Sequence, residues 1–227
     1  MRLKRSVHVP LSSILLSLLL VGEISSVALP EDITAPKCVA CAADAERMRS
    51  SFSEDDWKAL AAGETVTSEI DASEPATSAA RSFQSAVIIP APPDRVWKVL
   101  VDFESRPNYM PNMKEVRIVR VDANRVWLAE RLKVMFTTIR YQIIAKLDPQ
   151  RGVMHWDLDP SAPHDIASTT GSYQLTPLAQ GRTLLTYRAS VDTGKPVPHF
   201  IENLLLKRSL PHVVEGFRSE VARRLRQ

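Results

Sequence analysis

The densest group of chemically capable side chains lies in HWDLDPSAPHD, residues 155–165. On a strand over 152–158, alternation puts His155, Asp157 and Asp159 on one face, and His164 and Asp165 follow a proline-bounded loop. Imidazoles and carboxylates are the donors that hold a divalent metal or shuttle protons. The same spacing also makes the solvent-facing side of a strand that runs into a polar loop. The plainer reading is preferred, so no metal site and no catalytic residue is assigned.

A second group is aromatic: Tyr141, Trp156, Tyr173 and Tyr187. Each joins an apolar body to a polar tip, which suits a ligand with one oxygenated end and equally suits ordinary core packing. Arg131 and Arg188 sit within strand patterns and could anchor an anionic or carbonyl group. The bland alternative for Arg131 is an ion pair on the sheet surface with Glu130. Cys38 and Cys41, in KCVACAAD, are the only two cysteines. They are a candidate local disulfide. A redox role lacks the surrounding βαβ pattern, zinc needs four ligands, and Ala42 stands where covalent haem attachment requires His. No G-x-S-x-G elbow and no glycine-rich phosphate loop occurs, so no cofactor is expected.

These groups need elements to position them. Residues 82–89 read as a strand. Pro92, Pro93 and Asp94 open a helix whose apolar stripe is Val96, Leu100 and Phe103, widened by Trp97 and Val101. The helix ends before Pro107, and Ser105 starts a second short turn. Strands follow over 114–121, 124–132, 137–147, 152–158, 168–176 and 183–192. The Lys133–Phe136 link lacks the Gly, Asn or Asp usual in a tight hairpin. Over 183–192, Leu185, Tyr187, Ala189 and Val191 alternate with Thr186, Arg188 and Ser190, giving one buried and one wetter face. From His199 to Arg226 the period becomes helical, with Ile201, Leu204, Leu205, Val213, Val214, Phe217, Val221 and Leu225 on one stripe, and Pro211 is expected to kink or divide the helix. Arg218, Arg223, Arg224 and Arg226 form a basic side, either simply solvated or drawn to an anionic membrane.

Ahead of residue 81, Arg2, Lys4 and Arg5 precede an apolar run over Leu11–Val21, and Ser26-Val27-Ala28 supplies small residues for cleavage. This is the pattern of a signal peptide over residues 1–28, and it predicts export to a periplasmic or extracellular space. The alternative is an uncleaved membrane anchor. Residues 29–80 then form an extension, with a helix beginning at Ser53 and stopping at Gly63 and a loop or poorly packed extended stretch over SEIDASEPATSAA. Without residues 1–28 the chain holds 26 basic and 25 acidic side chains, a net charge of +1, which gives no electrostatic footprint for nucleic acid. Transient contact with a membrane surface is admitted as a partner interaction.

The run IIPAPPDRVWKVLVDFESRPNYMPNMKEVRIV resembles the opening of the START-like (SRPBCC) helix-grip superfamily, above all its polyketide cyclase/dehydrase and coenzyme-Q-binding group. The resemblance rests on Ala91-Pro92-Pro93, Val96-Trp97, Asp102-Phe103, Pro107 and Met110-Pro111, with GKPVPHFIENLLLKRSLPHVVEGF later in the chain. It implies an α+β fold over residues 81–227: a curved antiparallel sheet of about six to seven strands grips a long C-terminal helix, with two short helices after the first strand. It also implies a hydrophobic cavity between sheet and helix. The candidate lining is Tyr141, Trp156, Tyr173, Tyr187, Leu204, Val213 and Phe217. The expected function is binding of a hydrophobic small molecule that is lipid, quinone or polyketide-like. The alternative is a cyclase or dehydratase working in the same cavity, with His155, Asp157 or Tyr173 as the nearest titratable groups.

Overall fold

Pro92 and Pro93 sit where their missing N–H groups cost nothing, at the cap and first position of a helix over Pro93–Leu100. The computed structural model describes residues 27–34, 45–70, 81–194 and 209–227. Residues 1–26, Cys38, Cys41 and Leu204 lie outside the described residues. The strands are β1 (Val66–Ile70), β2 (Arg81–Ile89), β3 (Met113–Asp122), β4 (Arg125–Val134), β5 (Thr137–Asp148), β6 (Val153–Leu158), β7 (Ser168–Leu178) and β8 (Arg182–Asp192). The helices are α1 (Glu31–Thr34), α2 (Ala45–Ser50), α3 (Glu54–Ala61), α4 (Pro93–Leu100) and α5 (Leu210–Arg224), with a 3-10 helix over Phe103–Asn108.

All eight strands join one antiparallel sheet in the order β1-β2-β8-β7-β6-β5-β4-β3. The sheet therefore has eight strands rather than six or seven. The added one is β1, whose first residues precede the stretch expected to be a loop. It pairs with β2 from Val66↔Ala86 to Ile70↔Ser82, so the boundary near residue 81 falls between two strands of one sheet. The expected helix of the extension is present as α3. Ser53 Oγ accepts from Asp56 N at 3.1 Å, and Ser53 N donates back to Asp56 Oδ2 at 3.3 Å, a reciprocal cap.

The two faces of the sheet carry different cores. On the inner face, Val87, Ile89, Leu128, Met154, Leu175 and Leu185 pack with Val96, Trp97 and Leu100 of α4 and with Val214, Phe217 and Val221 of α5. The outer face is not simply wet, as the alternation in β8 suggested. Ala86, Ile88 and Leu184 are buried there under Met48 and Leu60 of α2 and α3. The extension thus supplies the cover for β2 and β8.

Pro211 lies in the first turn of α5. The part of the predicted helix before residue 209 lies outside the described residues. Gly216 lets α5 come close to the 3-10 helix: a Cβ there would stand 2.4 Å from the Tyr109 carbonyl oxygen. The basic side of α5 is largely paired. Arg223 and Arg224 both donate to Glu220, Arg224 also reaches Asp102, and Arg218 pairs with Glu215. Arg224, through Asp102, and Arg218, through the Gly63 carbonyl, tie the helix to other elements, while Arg223 pairs within it. Asp102 of the resembling motif accordingly has a structural partner.

Candidate functional site

Between the inner face of the sheet and α5 lies a cavity of about 260 Å³. Its walls come from β2 through Phe83, from β3 through Met113 and from the strands between them. Strands so far apart in the sheet order can share one hollow only if the sheet bends strongly around it. Met110, Pro111 and Asn112 close one side, and Leu210 and Val213 of α5 another. Asn112 holds this rim. Its side chain donates to Ser209 Oγ at 3.2 Å, and its carbonyl accepts from Lys133 N at 2.7 Å.

Tyr141, Trp156, Tyr173, Tyr187 and Val213 of the sequence-derived set all line the cavity. Phe217 does not line it but backs it, edge-on to Tyr173 with ring centroids 5.2 Å apart. Register brings the aromatics together: Tyr173 and Tyr187 are paired across β7 and β8, and their ring centroids are 4.9 Å apart. Trp156 stacks on Tyr187 at 5.7 Å. The indole lies over Gly171, where a Cβ would stand 2.2 Å from Trp156 Cζ2.

The cavity is not wholly apolar. Two charged residues that the sequence did not place in a cavity, Arg106 and Glu130, line it while only 2 % and 6 % exposed. Arg106 extends from the 3-10 helix, and its Nη2 donates to the Leu100 carbonyl at 2.9 Å. Its guanidinium lies over the Phe103 ring at 4.6 Å. Glu130 sits in β4 directly opposite Tyr141 of β5. Burial raises the Glu130 carboxyl above its ordinary value, and Arg106 and a hydrogen bond with Tyr141 offset part of that rise. Burial also drives the Tyr141, Tyr173 and Tyr187 hydroxyls upward, so they stay protonated donors at neutral pH. Glu130 does not pair with Arg131, as the surface reading had it. Arg131 points the other way and donates to Glu115 at 2.9 Å.

The remaining candidates are scattered. His155 and Arg188 lie on the outer face in an open groove of about 550 Å³ beside α2, and Arg188 donates to Gln84 at 2.6 Å. Asp157 is exposed and accepts from Thr170 Oγ1 at 2.8 Å. Asp159 is buried instead, contrary to the idea of a solvent-facing face. It accepts from Ser161 Oγ at 2.6 Å and Gln142 Nε2 at 2.7 Å, and the Ser161 bond lowers its pKa. His164 Nδ1 is 2.8 Å from the Ile166 carbonyl, and Asp165 accepts from Arg140 N at 2.8 Å. Among the described residues, no cluster of three or more metal-ligating side chains exists.

A family model described as polyketide cyclase / dehydrase and lipid transport matches residues 80–227. The chain belongs to this family. Solved structures of the polyketide cyclase and lipid transport type share its fold. The Zhui aromatase/cyclase of Streptomyces sp. R1128 is 21 % identical with a TM-score of 0.56, and the alignment covers 64 % of this chain and 96 % of that one. A STAR-related lipid transfer protein from Xanthomonas axonopodis is 16 % identical with a TM-score of 0.59, over 70 % and 93 % of the two chains. A START superfamily protein from Mycobacterium smegmatis is 17 % identical with a TM-score of 0.54, over 63 % and 97 %. No curated protein matches the chain. At these identities the likeness is one of fold. It confirms the α+β helix-grip architecture and leaves the ligand to be argued from the cavity.

Proposed function

We propose that the chain is an exported protein that binds a hydrophobic small molecule, lipid, quinone or polyketide-like, between the sheet and α5. The observation that carries this reading is the largely apolar cavity, which family membership makes the expected place for such a ligand. Burial of each methylene there is worth about 0.8 kcal/mol, so shape and burial suffice for useful affinity. Native mass spectrometry of the chain purified from its host, followed by organic extraction, tests it. The expected result is a discrete non-covalent mass released into solvent. A chain that carries nothing and takes up no apolar probe would end the proposal.

Export rests on the residue pattern of 1–28. N-terminal sequencing of the protein from its host should begin near Leu29. Transient membrane contact finds support at the β4–β5 hairpin. Met135 and Phe136 stand exposed at its tip, while Val134 and Ile139 of the same hairpin line the cavity.

A second reading, a cyclase or dehydratase, draws on Glu130. It is a buried carboxyl inside the cavity whose raised pKa makes its carboxylate a stronger proton acceptor. His155 and Asp157, on the outer side, offer nothing to such a reaction, and Tyr173 remains as a hydroxyl donor. Unchanged recovery of the bound molecule favours binding. Recovery of a cyclised or dehydrated product favours catalysis.

A further inference from the structure

We propose that the ligand of this cavity presents an uncharged carbonyl oxygen at one end, and that this oxygen accepts a hydrogen bond from the Arg106 guanidinium while Glu130 balances the charge. This rests on the cavity being the ligand site. The donors of Arg106 are unevenly used. Nη2 serves the Leu100 carbonyl at 2.9 Å and approaches Met154 Sδ at 3.8 Å. Nη1 stands 4.0 Å from Glu130 Oε1, beyond hydrogen-bond length. Nε is fully buried and has no partner among the described residues. A buried N–H without an acceptor forfeits the free energy of a hydrogen bond, and folded proteins leave few of them. Guanidinium N–H groups only donate, so the missing group is an acceptor.

Charge then selects among acceptors. One cation and one anion already face the cavity, and Glu130 is further engaged by Tyr141. A carboxylate ligand would add an uncompensated negative charge beside Glu130 in a dry space. A pure hydrocarbon would leave Nη1, which stands 4.0 Å from Glu130 and is not sealed off as Nε is, without an acceptor. A ketone or ester carbonyl satisfies both conditions.

The test is calorimetric titration of the full chain at pH 7 with three probes of one shape: 4-phenyl-2-butanone, butylbenzene and 3-phenylpropanoate. Each affinity is divided by the probe's own water-to-octanol partition. On that scale the ketone should exceed butylbenzene by about ten- to hundredfold, the range for a hydrogen bond to a charged group. It should also exceed the carboxylate. Equal values for ketone and hydrocarbon overturn the carbonyl assignment and leave the cavity reading standing. A preference for 3-phenylpropanoate overturns it in favour of an anionic ligand. Binding of none of the three overturns both readings. The double variant Arg106→Met/Glu130→Leu removes the two charges together. It should lose the ketone's advantage over butylbenzene, each affinity being compared within the variant, and an advantage that survives overturns the role given to Arg106.

Discussion

Arg106 and Glu130 face each other across the inner cavity wall, Nη1 to Oε1 at 4.0 Å, with both side chains almost wholly out of solvent. Removing one partner strands a buried charge, whereas removing both does not. Arg106→Met or Glu130→Leu alone should cost about 3–5 kcal/mol of unfolding free energy. The double variant should recover most of that loss. Urea unfolding of all four proteins checks this, and strictly additive losses would contradict it.

Ala189 of β8 lies in the cavity wall. Ala189→Phe should fill the space and abolish uptake of an apolar fluorescent probe while the protein still melts cooperatively. Probe binding at the original affinity would mean that the hollow is not where ligands go.

Gly216 has no room for a methyl group, because the Tyr109 carbonyl oxygen would lie 2.4 Å from its Cβ. Gly216→Ala should push α5 away from the 3-10 helix and cost about 1–3 kcal/mol, the usual range for overpacking. Thermal melting of the variant measures the loss.

Glu220 receives hydrogen bonds from Arg223 and Arg224 at 2.7 Å each. Chiefly through the Arg223 bond, its carboxyl is held down to about 2. A depressed carboxyl stabilises the fold above its unfolded value and loses that stabilisation as pH falls toward the folded value. Glu220→Gln should therefore cost about 2 kcal/mol at pH 7, discounted for the solvent around Arg223. The gap between variant and parent should close as pH falls from about 5 to 2. Denaturant titrations across that range would show it, and a gap independent of pH would refute the ion-pair assignment.

Phe136 is 96 % exposed. Phe136→Asp should leave stability within about 0.5 kcal/mol of the parent, as surface substitutions do. If the hairpin tip meets membranes, the same change should lower co-sedimentation with anionic vesicles. Identical sedimentation removes the tip from the account.

The strands were legible because period-two alternation of residue type marks β5 and β8 and β-branched residues bounded by turn signals mark others, and their observed ends lie within two residues of those expected. β1 was not, because VTSEI is polar and its side chains stay partly or fully exposed, so no apolar period marks it. Its place is set by pairing with β2 and by Thr65, whose hydroxyl bonds Glu215 of α5. The aromatic lining could be read from type and parity. Glu130 could have been found in the same way. It occupies the inward slot between Leu128 and Leu132, where a charge is out of keeping with a buried face. Arg106 gives no such signal: ESRPN looks like any exposed turn, and only tertiary packing beside Met154, Tyr173 and Phe217 buries it.

The partnership of β2 with β8 bears on how the chain reaches its native state. The two strands match residue for residue, Val87 with Leu185 and Ile89 with Thr183, although about a hundred residues separate them in the chain. On a ribosome β2 emerges early and must wait for nearly the whole polypeptide before its mate exists. Slow, late closure follows, and until then β2 presents a bare apolar strand that needs shielding from its neighbours.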